Sequence, residues 1–228
     1  MSPWAVHFTS GYDRVMSILW DGLIEPFDEP HGAGRLVPEV AQRHRSAALS
    51  EIPLHLLHRL VKARSQYGIG FAQDFLLEHG GGRVWYLEAG GVPAQSIERQ
   101  VAERVGQTVE ADDPFWATTP FIDFPDPSHP FTDWRWEREW RVPGGLRFTP
   151  DDVAFLFIPG HNHGPARQFF TDHKVANTGP AYLCPYIDPT WDRARIQAAL
   201  ESTPAEVRPS RDAGHDPFDD VFDDIHNY

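Results

Sequence analysis

The chain has 228 residues, an apolar fraction of 41%, a charged fraction of 23% and a formal net charge of −13. This length and composition are typical of a globular protein with a full hydrophobic core. The acidic balance argues against a general nucleic-acid-binding surface, which needs Lys and Arg to neutralise phosphates, although it does not exclude a local basic cleft.

The single cysteine, Cys184, excludes an internal disulfide and a cysteine-rich zinc site, and a free thiol fits a reducing cytosol. No apolar run approaches the length of a membrane span. The N-terminus lacks the basic region and apolar stretch of a signal peptide. These features predict a cytoplasmic protein without membrane contact.

The N-terminal half predicts short strands alternating with helices. Val6 and Phe8 alternate with His7 and Thr9, so His7 and Thr9 are expected to share one face of a first strand. A helix is predicted over 13–20, and a locally basic, irregular loop over 25–46. Further strands are predicted over 46–52, 67–71 and, fully buried, 84–87. Helices are predicted from residue 53 onward, over 72–78 and over 94–105.

Residues 114–133 are rich in proline, with Phe and Trp interleaved, and therefore cannot form a helix. Such a loop either grips a base by stacking or packs over the core. Residues 134–142 then alternate with the period of a strand, and Pro143 ends the run. One face, the predicted core face, carries Trp134, Trp136, Arg138 and Trp140. The other carries Arg135, Glu137, Glu139 and Arg141. Two carboxylates flanked by arginines form either a catalytic pair or a salt-bridge ladder.

The C-terminal part predicts a buried strand at 153–158, a helix at 165–174, a short strand at 182–186 and a helix at 191–200. His161 and His163 have the spacing of metal ligands, but no third ligand has a recognisable spacing, so no metal site is expected. Residues 202–228 form an acidic tail, predicted to be disordered alone. It has apolar residues at helix-like spacing, which suit folding in a partner's groove. Alternatively, its acidic residues suit a basic cleft of the same protein.

Several of these motifs resemble known families. His7-Phe8-Thr9, followed by Ile18-Leu19-x-x-Gly22-Leu23, resembles the opening of ADP-ribosyltransferase-like folds, above all the DNA-modifying toxin group. Later segments look like the AbiGi group of abortive-infection (phage-resistance) proteins. They are Ala-Leu-Ser-Glu-Ile-Pro-Leu at 48–54, Tyr-Gly-Ile-Gly-Phe-Ala at 67–72, Val-Trp-Tyr-Leu at 84–87 and Glu-Arg-Glu-Trp-Arg at 137–141. The resemblance runs from about residue 4 to about residue 160.

The resemblance implies an α+β domain over residues 1–201, with a split, mostly antiparallel sheet and short covering helices. It implies NAD as substrate, no metal, and transfer to a nucleic acid or a protein. The residue roles it implies are Glu139, Glu137 and His7 as catalytic residues, with His7, Thr9, Ser50, Tyr67, Phe71 and Arg45 at the cofactor. Arg35 and Arg43 are alternatives to Arg45. Ser50 could instead bond to neighbouring backbone, and either aromatic side chain could belong to the core.

A rival hypothesis is a non-catalytic antitoxin or binding module, which engages a toxin through the acidic tail, because a fold does not fix a function. The two hypotheses differ in one geometric requirement. Catalysis needs His7 and Glu139 to face each other across one cleft, and it fails if their side chains face away from each other.

Overall fold

The computed structural model describes residues 3–51, 57–124 and 137–202. These ranges form eleven strands and eight α-helices. The strands are β1 (Trp4–Thr9), β2 (Leu23–Ile24), β3 (Ser46–Glu51), β4 (Tyr67–Ala72), β5 (Gly82–Arg83), β6 (Trp85–Tyr86), β7 (Ile122–Asp123), β8 (Glu139–Pro143), β9 (Leu146–Arg147), β10 (Phe155–Phe157) and β11 (Tyr186–Ile187). The helices are α1 (Tyr12–Asp21), α2 (Pro38–Ala41), α3 (Leu57–Ala63), α4 (Gln73–Glu78), α5 (Val92–Val105), α6 (Phe115–Thr118), α7 (His163–Val175) and α8 (Arg193–Glu201).

Seven strands form one sheet in the order β11-β10-β4-β1-β3-β8-β5. Every neighbouring pair is antiparallel except β10 and β11, which are parallel. Strands β2 and β9 form a small second sheet, and β6 and β7 a third. The predicted class, α+β with a mostly antiparallel sheet and short helices, is confirmed.

The ladder between β1 and β3 is short. It joins Ala5 to Glu51 and Val6 to Ser50, whereas the ladder between β1 and β4 runs along the whole of β1. At the next residue of β1, the ring of His7 forms a hydrogen bond to β3, with 3.0 Å between its Nδ1 and the carbonyl oxygen of Ala48. Backbone pairing between β1 and β3 therefore ends at Val6, whereas β1 stays paired with β4 and β3 stays paired with β8.

Hydrophobic residues cover both faces of the sheet. On one face, side chains of the central strands such as Ile69 and Phe71 pack against α1 and α7. On the other face, the Phe155 ring lies over Gly70, its register partner on β4, where a Cβ would overlap the ring. Glycine thus makes room for an aromatic side chain in the hydrophobic core on this face of the sheet. Residues of α3 and α8 also belong to this core.

Several predicted elements differ from the structure. Residues 114–133 are predicted not to form a helix, but Phe115–Thr118 form the short helix α6, because this turn lies between Pro114 and Pro120 and contains no proline. The strand predicted over 182–186 is confined to Tyr186–Ile187. Residues 84–87 are not a buried strand, because only Trp85 and Tyr86 are extended and Trp85 is 67% exposed. The loop over 25–46 contains the short helix α2. Within the described residues from Glu137 onward, the strand begins at Glu139, because Arg138 has a left-handed backbone with φ of 49°. Trp134, Arg135, Trp136, residues 125–133 of the proline-rich loop and the tail beyond residue 202 lie outside the described residues.

Candidate functional site

A cleft of about 680 Å³ opens beside the point where β1 and β3 separate. Its floor comes from β1, β3 and β8, and its walls come from residues 27–31, from β6 and from the end of β7. It is lined by Val6, Phe8, Phe27, Asp28, Glu29, His31, Ala48, Leu49, Ser50, Arg64, Tyr86, Asp123, Phe124, Glu137, Glu139 and Arg141.

Strand register brings the floor residues together. Val6 is the partner of Ser50, and Ser50 is the partner of Glu139. Directly opposed residues of antiparallel strands project to the same face, so these three side chains form one row across the sheet. Ala48 and Arg141 form the adjacent row, two residues further along each strand.

Glu139 is held by two donors. The Arg141 guanidinium contacts it through Nε to Oε1 at 2.8 Å and Nη2 to Oε2 at 3.3 Å, and the Tyr86 hydroxyl donates to Oε2. Burial and the neighbouring Glu139 carboxylate raise the pKa of Tyr86, so the phenol keeps its proton and stays a donor. Glu139 is therefore fixed in orientation, with its side chain 18% exposed.

Arg141 lies beneath the cleft and is only 3% exposed. It also donates to Asp123 Oδ2 and to the carbonyl oxygen of Pro120, each at 2.8 Å. Burial opposes its charge, but Glu139 and Asp123 outweigh that effect and raise its pKa above the ordinary value. The guanidinium therefore stays charged and draws two cleft carboxylates together.

Glu137 is the more deeply buried carboxylate, at 2% exposure. Ser50 Oγ donates to its Oε2 at 3.0 Å, and Arg64 reaches the same oxygen through Nη2 at 3.0 Å. Sequence alone left open a catalytic pair or a salt-bridge ladder for Glu137 and Glu139. In the structure both carboxylates reach the cleft and both are ion-paired, each with a different arginine.

The cleft is acidic. Among the described residues, five carboxylates and two guanidiniums line it, which gives a formal charge of −3 with His31 neutral. Its walls also carry the aromatic side chains Phe8, Phe27, Phe124 and Tyr86. An acidic, aromatic-lined cleft attracts a flat cation and repels an unpaired phosphate. The acidic tail also does not match this cleft electrostatically.

Three predicted site residues, Glu137, Glu139 and Ser50, meet in this cleft. His7 does not line it, because Val6 and Phe8 occupy the cleft face of β1 and alternation turns His7 to the other face. Burial lowers the pKa of His7, which favours its neutral form. The requirement that His7 and Glu139 face each other is not met, so the structure does not support a catalytic site that uses both.

The remaining predicted cofactor contacts lie elsewhere. Phe71 is fully buried in the core and Thr9 is 7% exposed. Tyr67 packs on Tyr12 and accepts a hydrogen bond from Asn162 Nδ2 at 3.1 Å. None of the three lines the cleft described above.

The arginines of the basic loop do not line the cleft either. Arg45 donates to the carbonyl oxygen of Phe27 at 3.0 Å and to Asp28 at 2.7 Å, so it holds the loop that forms one wall. Arg43 pairs with Asp112, and Arg35 donates to the carbonyl oxygen of Gly32. A role of Arg45 at a ligand phosphate stays a prediction.

Sequence reasoning missed Arg64, Tyr86 and Asp123. Arg64 follows α3, and Tyr86 and Asp123 are register partners in the small β6–β7 sheet. Tyr86 lies in the 84–87 motif, which assigns it no site role, and no motif marks Arg64 or Asp123. Their positions in the cleft depend on tertiary packing. In the described parts of the chain, no group of three or more His, Cys, Asp or Glu side chains is placed to hold a metal ion. His163 Nε2 instead contacts the carbonyl oxygen of Ile158 at 2.7 Å.

No protein-family model, curated protein or solved structure matches this chain. Within residues 3–51, 57–124 and 137–202, no helix is long and apolar enough to cross a membrane.

Proposed function

We propose that this chain is a binding module of a phage-defence or toxin–antitoxin system, and that its acidic cleft binds the nicotinamide-riboside end of NAD. The observation that carries the ligand assignment is the convergence of Glu137, Glu139 and Ser50 in one acidic cleft with aromatic walls. The oxidised nicotinamide ring is a flat cation and the ribose offers hydroxyl donors. Carboxylates and aromatic faces match both features.

The biological setting rests on the motifs that resemble AbiGi proteins, including 137–141, which supplies both cleft glutamates. An ADP-ribosyltransferase-like split sheet is supported by the short β1–β3 ladder, since β1 and β3 part beside the cleft. The proposal that binding occurs without transfer is supported by the position of His7 on the other face and by the ion pairs that hold both glutamates.

A second candidate is NAD-dependent ADP-ribosyl transfer to a nucleic acid or protein, without His7. The specific observation in its favour is that Glu139 reaches the cleft in a fixed orientation. A carboxylate at that position stabilises the positive charge that develops on ribose when the bond to nicotinamide breaks. In this mechanism Glu137 prepares the acceptor and Ser50 holds Glu137.

Calorimetric titration of the full chain with NAD and with nicotinamide riboside tests the binding proposal. We expect both ligands to bind, and Glu139→Gln to weaken binding about tenfold, because one ionic contact is lost. Glu78→Gln makes the same chemical change at an exposed position of helix α4, and this variant should bind as the wild type does. The proposal would be overturned if NAD failed to bind or if nicotinamide riboside failed to bind.

Nicotinamide release, measured with and without DNA, RNA and cell lysate, separates the two candidates. The binding module predicts background release in every sample. Release that disappears in Glu139→Gln but persists in Glu78→Gln and His7→Asn would establish the transferase in place of the binding module, and the stimulating sample would identify the acceptor class.

A further inference from the structure

Two neighbouring residues of β3 contact the two residues that immediately precede β8, on opposite faces of the sheet. On the cleft face, Ser50 donates to Glu137 at 3.0 Å. On the other face, Glu51 is fully buried, and its Oε1 lies 3.1 Å from Arg138 Nη1. The backbone N–H of Glu51 also donates to the carbonyl oxygen of Arg138 at 3.2 Å.

Arg138 is one of two non-glycine residues with positive φ in the described ranges, and its φ is 49°. L-residues other than glycine rarely adopt this conformation, and it persists only where the surroundings impose it. Both the side chain and the backbone carbonyl oxygen of Arg138 contact Glu51. A buried carboxylate requires compensating partners, and Glu51 has Arg138 on one oxygen and Arg83 on the other, at 3.1 Å.

The conformation of Arg138 determines where its neighbours project. Glu137 precedes it and Glu139 begins β8, and both carboxylates reach the cleft while the Arg138 side chain extends to the opposite face. A change of φ at residue 138 would therefore displace Glu137 from Ser50 and Arg64.

We propose that Glu51, acting through Arg138 from the back of the sheet, is a positioning residue that holds the Glu137 carboxylate in the cleft. Glu51 itself does not line the cleft. The expected effect on ligand binding rests on the proposed function. The expected effect on the conformation of Glu137 does not.

Two variants of Arg138 separate the backbone conformation from the ion pair. Arg138→Ala and Arg138→Gly both remove the ion pair with Glu51. Glycine adopts positive φ freely and alanine does not. We expect Arg138→Ala to weaken nicotinamide riboside binding about tenfold and Arg138→Gly to bind within about threefold of the wild type.

A double-mutant cycle tests whether Glu51 influences ligand binding through residue 138. Glu51→Gln should weaken binding in the wild-type background and have little further effect when residue 138 is glycine. Equal losses in both backgrounds, equal losses in the Ala and Gly variants, or no loss in either variant would each overturn the proposal. Thermal unfolding first confirms that each variant is folded.

A ligand-free measurement distinguishes failure of this proposal from failure of the proposed function. In ¹H–¹⁵N spectra, the amides of Glu137 and Ser50 should shift strongly in Arg138→Ala and little in Arg138→Gly. If the wild type binds no ligand but the amides follow this pattern, the ligand assignment is wrong and the positioning role stands. If the amides shift equally in both variants, the positioning role is wrong.

Discussion

Replacing Arg141 by methionine tests whether this guanidinium holds the cleft carboxylates together. The change keeps the unbranched stem of the side chain but removes the guanidinium, so it leaves Glu139 and Asp123 without their shared cation and the carbonyl oxygen of Pro120 without this donor. Removing one partner of a buried ion pair costs about 3–5 kcal/mol. Glu139 and Asp123 are 18% and 22% exposed, so water relieves part of the cost.

We therefore expect Arg141→Met to lower the free energy of unfolding by about 3 kcal/mol, which a domain with a stability of about 5–15 kcal/mol survives. Urea denaturation measures this loss. Arg147→Met is the matched control, because Arg147 is an exposed residue of β9, and its effect should stay within about 0.5 kcal/mol. A loss below about 1 kcal/mol for Arg141→Met would refute the view that Arg141 organises the cleft.

Three further predictions concern the core. Burial lowers the pKa of His7. As the pH falls through about 6.5 the unfolded chain therefore gains a proton that the folded chain does not, and stability declines. His7→Asn should make that decline shallower in urea titrations between pH 7 and pH 5, and an unchanged slope would contradict the buried neutral ring. Gly70→Ala should lower the free energy of unfolding by about 1–3 kcal/mol, because its Cβ would overlap the Phe155 ring, and a neutral effect would show that the ring moves freely. Burial raises the pKa of the Cys184 thiol to about 12, so Ellman's reagent at pH 8 should react about a hundredfold more slowly with native than with urea-unfolded protein; equal rates would place the thiol at the surface.

Much of the sheet could be predicted because its strands carry a local signal. Alternation of Val6 and Phe8 with their neighbours predicted β1, and the apolar run at 153–158 predicted the region of β10. The alternating residues Glu139 and Arg141 share the cleft face as predicted, and their ion pair follows from that spacing.

The placement of His7 could not be predicted, because alternation assigns residues to the two faces of a strand but does not show which face of the sheet lies toward the cleft. That choice depends on register, and the pairing of Val6 with Ser50 turns the Val6 face toward the cleft. If the register between β1 and β3 were shifted by one residue, His7 would lie opposite Ser50.

The interruption of the strand at Arg138 could not be predicted from the sequence either. A regular alternation of Trp and charged residues predicted one continuous strand from residue 134, and no glycine marks a positive φ at this position. The conformation depends on Glu51, which is distant in sequence, so only the folded chain reveals it.

The most direct test of the central claim, that the cleft selects a flat cation, compares nicotinamide riboside with its reduced dihydro form in calorimetric titrations. The two ligands have nearly the same shape, and the reduced ring is neutral. We predict that the cationic form binds at least about tenfold more tightly, and that Glu137→Gln reduces this preference because it removes one cleft charge. Equal affinity for the two forms would contradict the account of the cleft as a site for a cationic riboside.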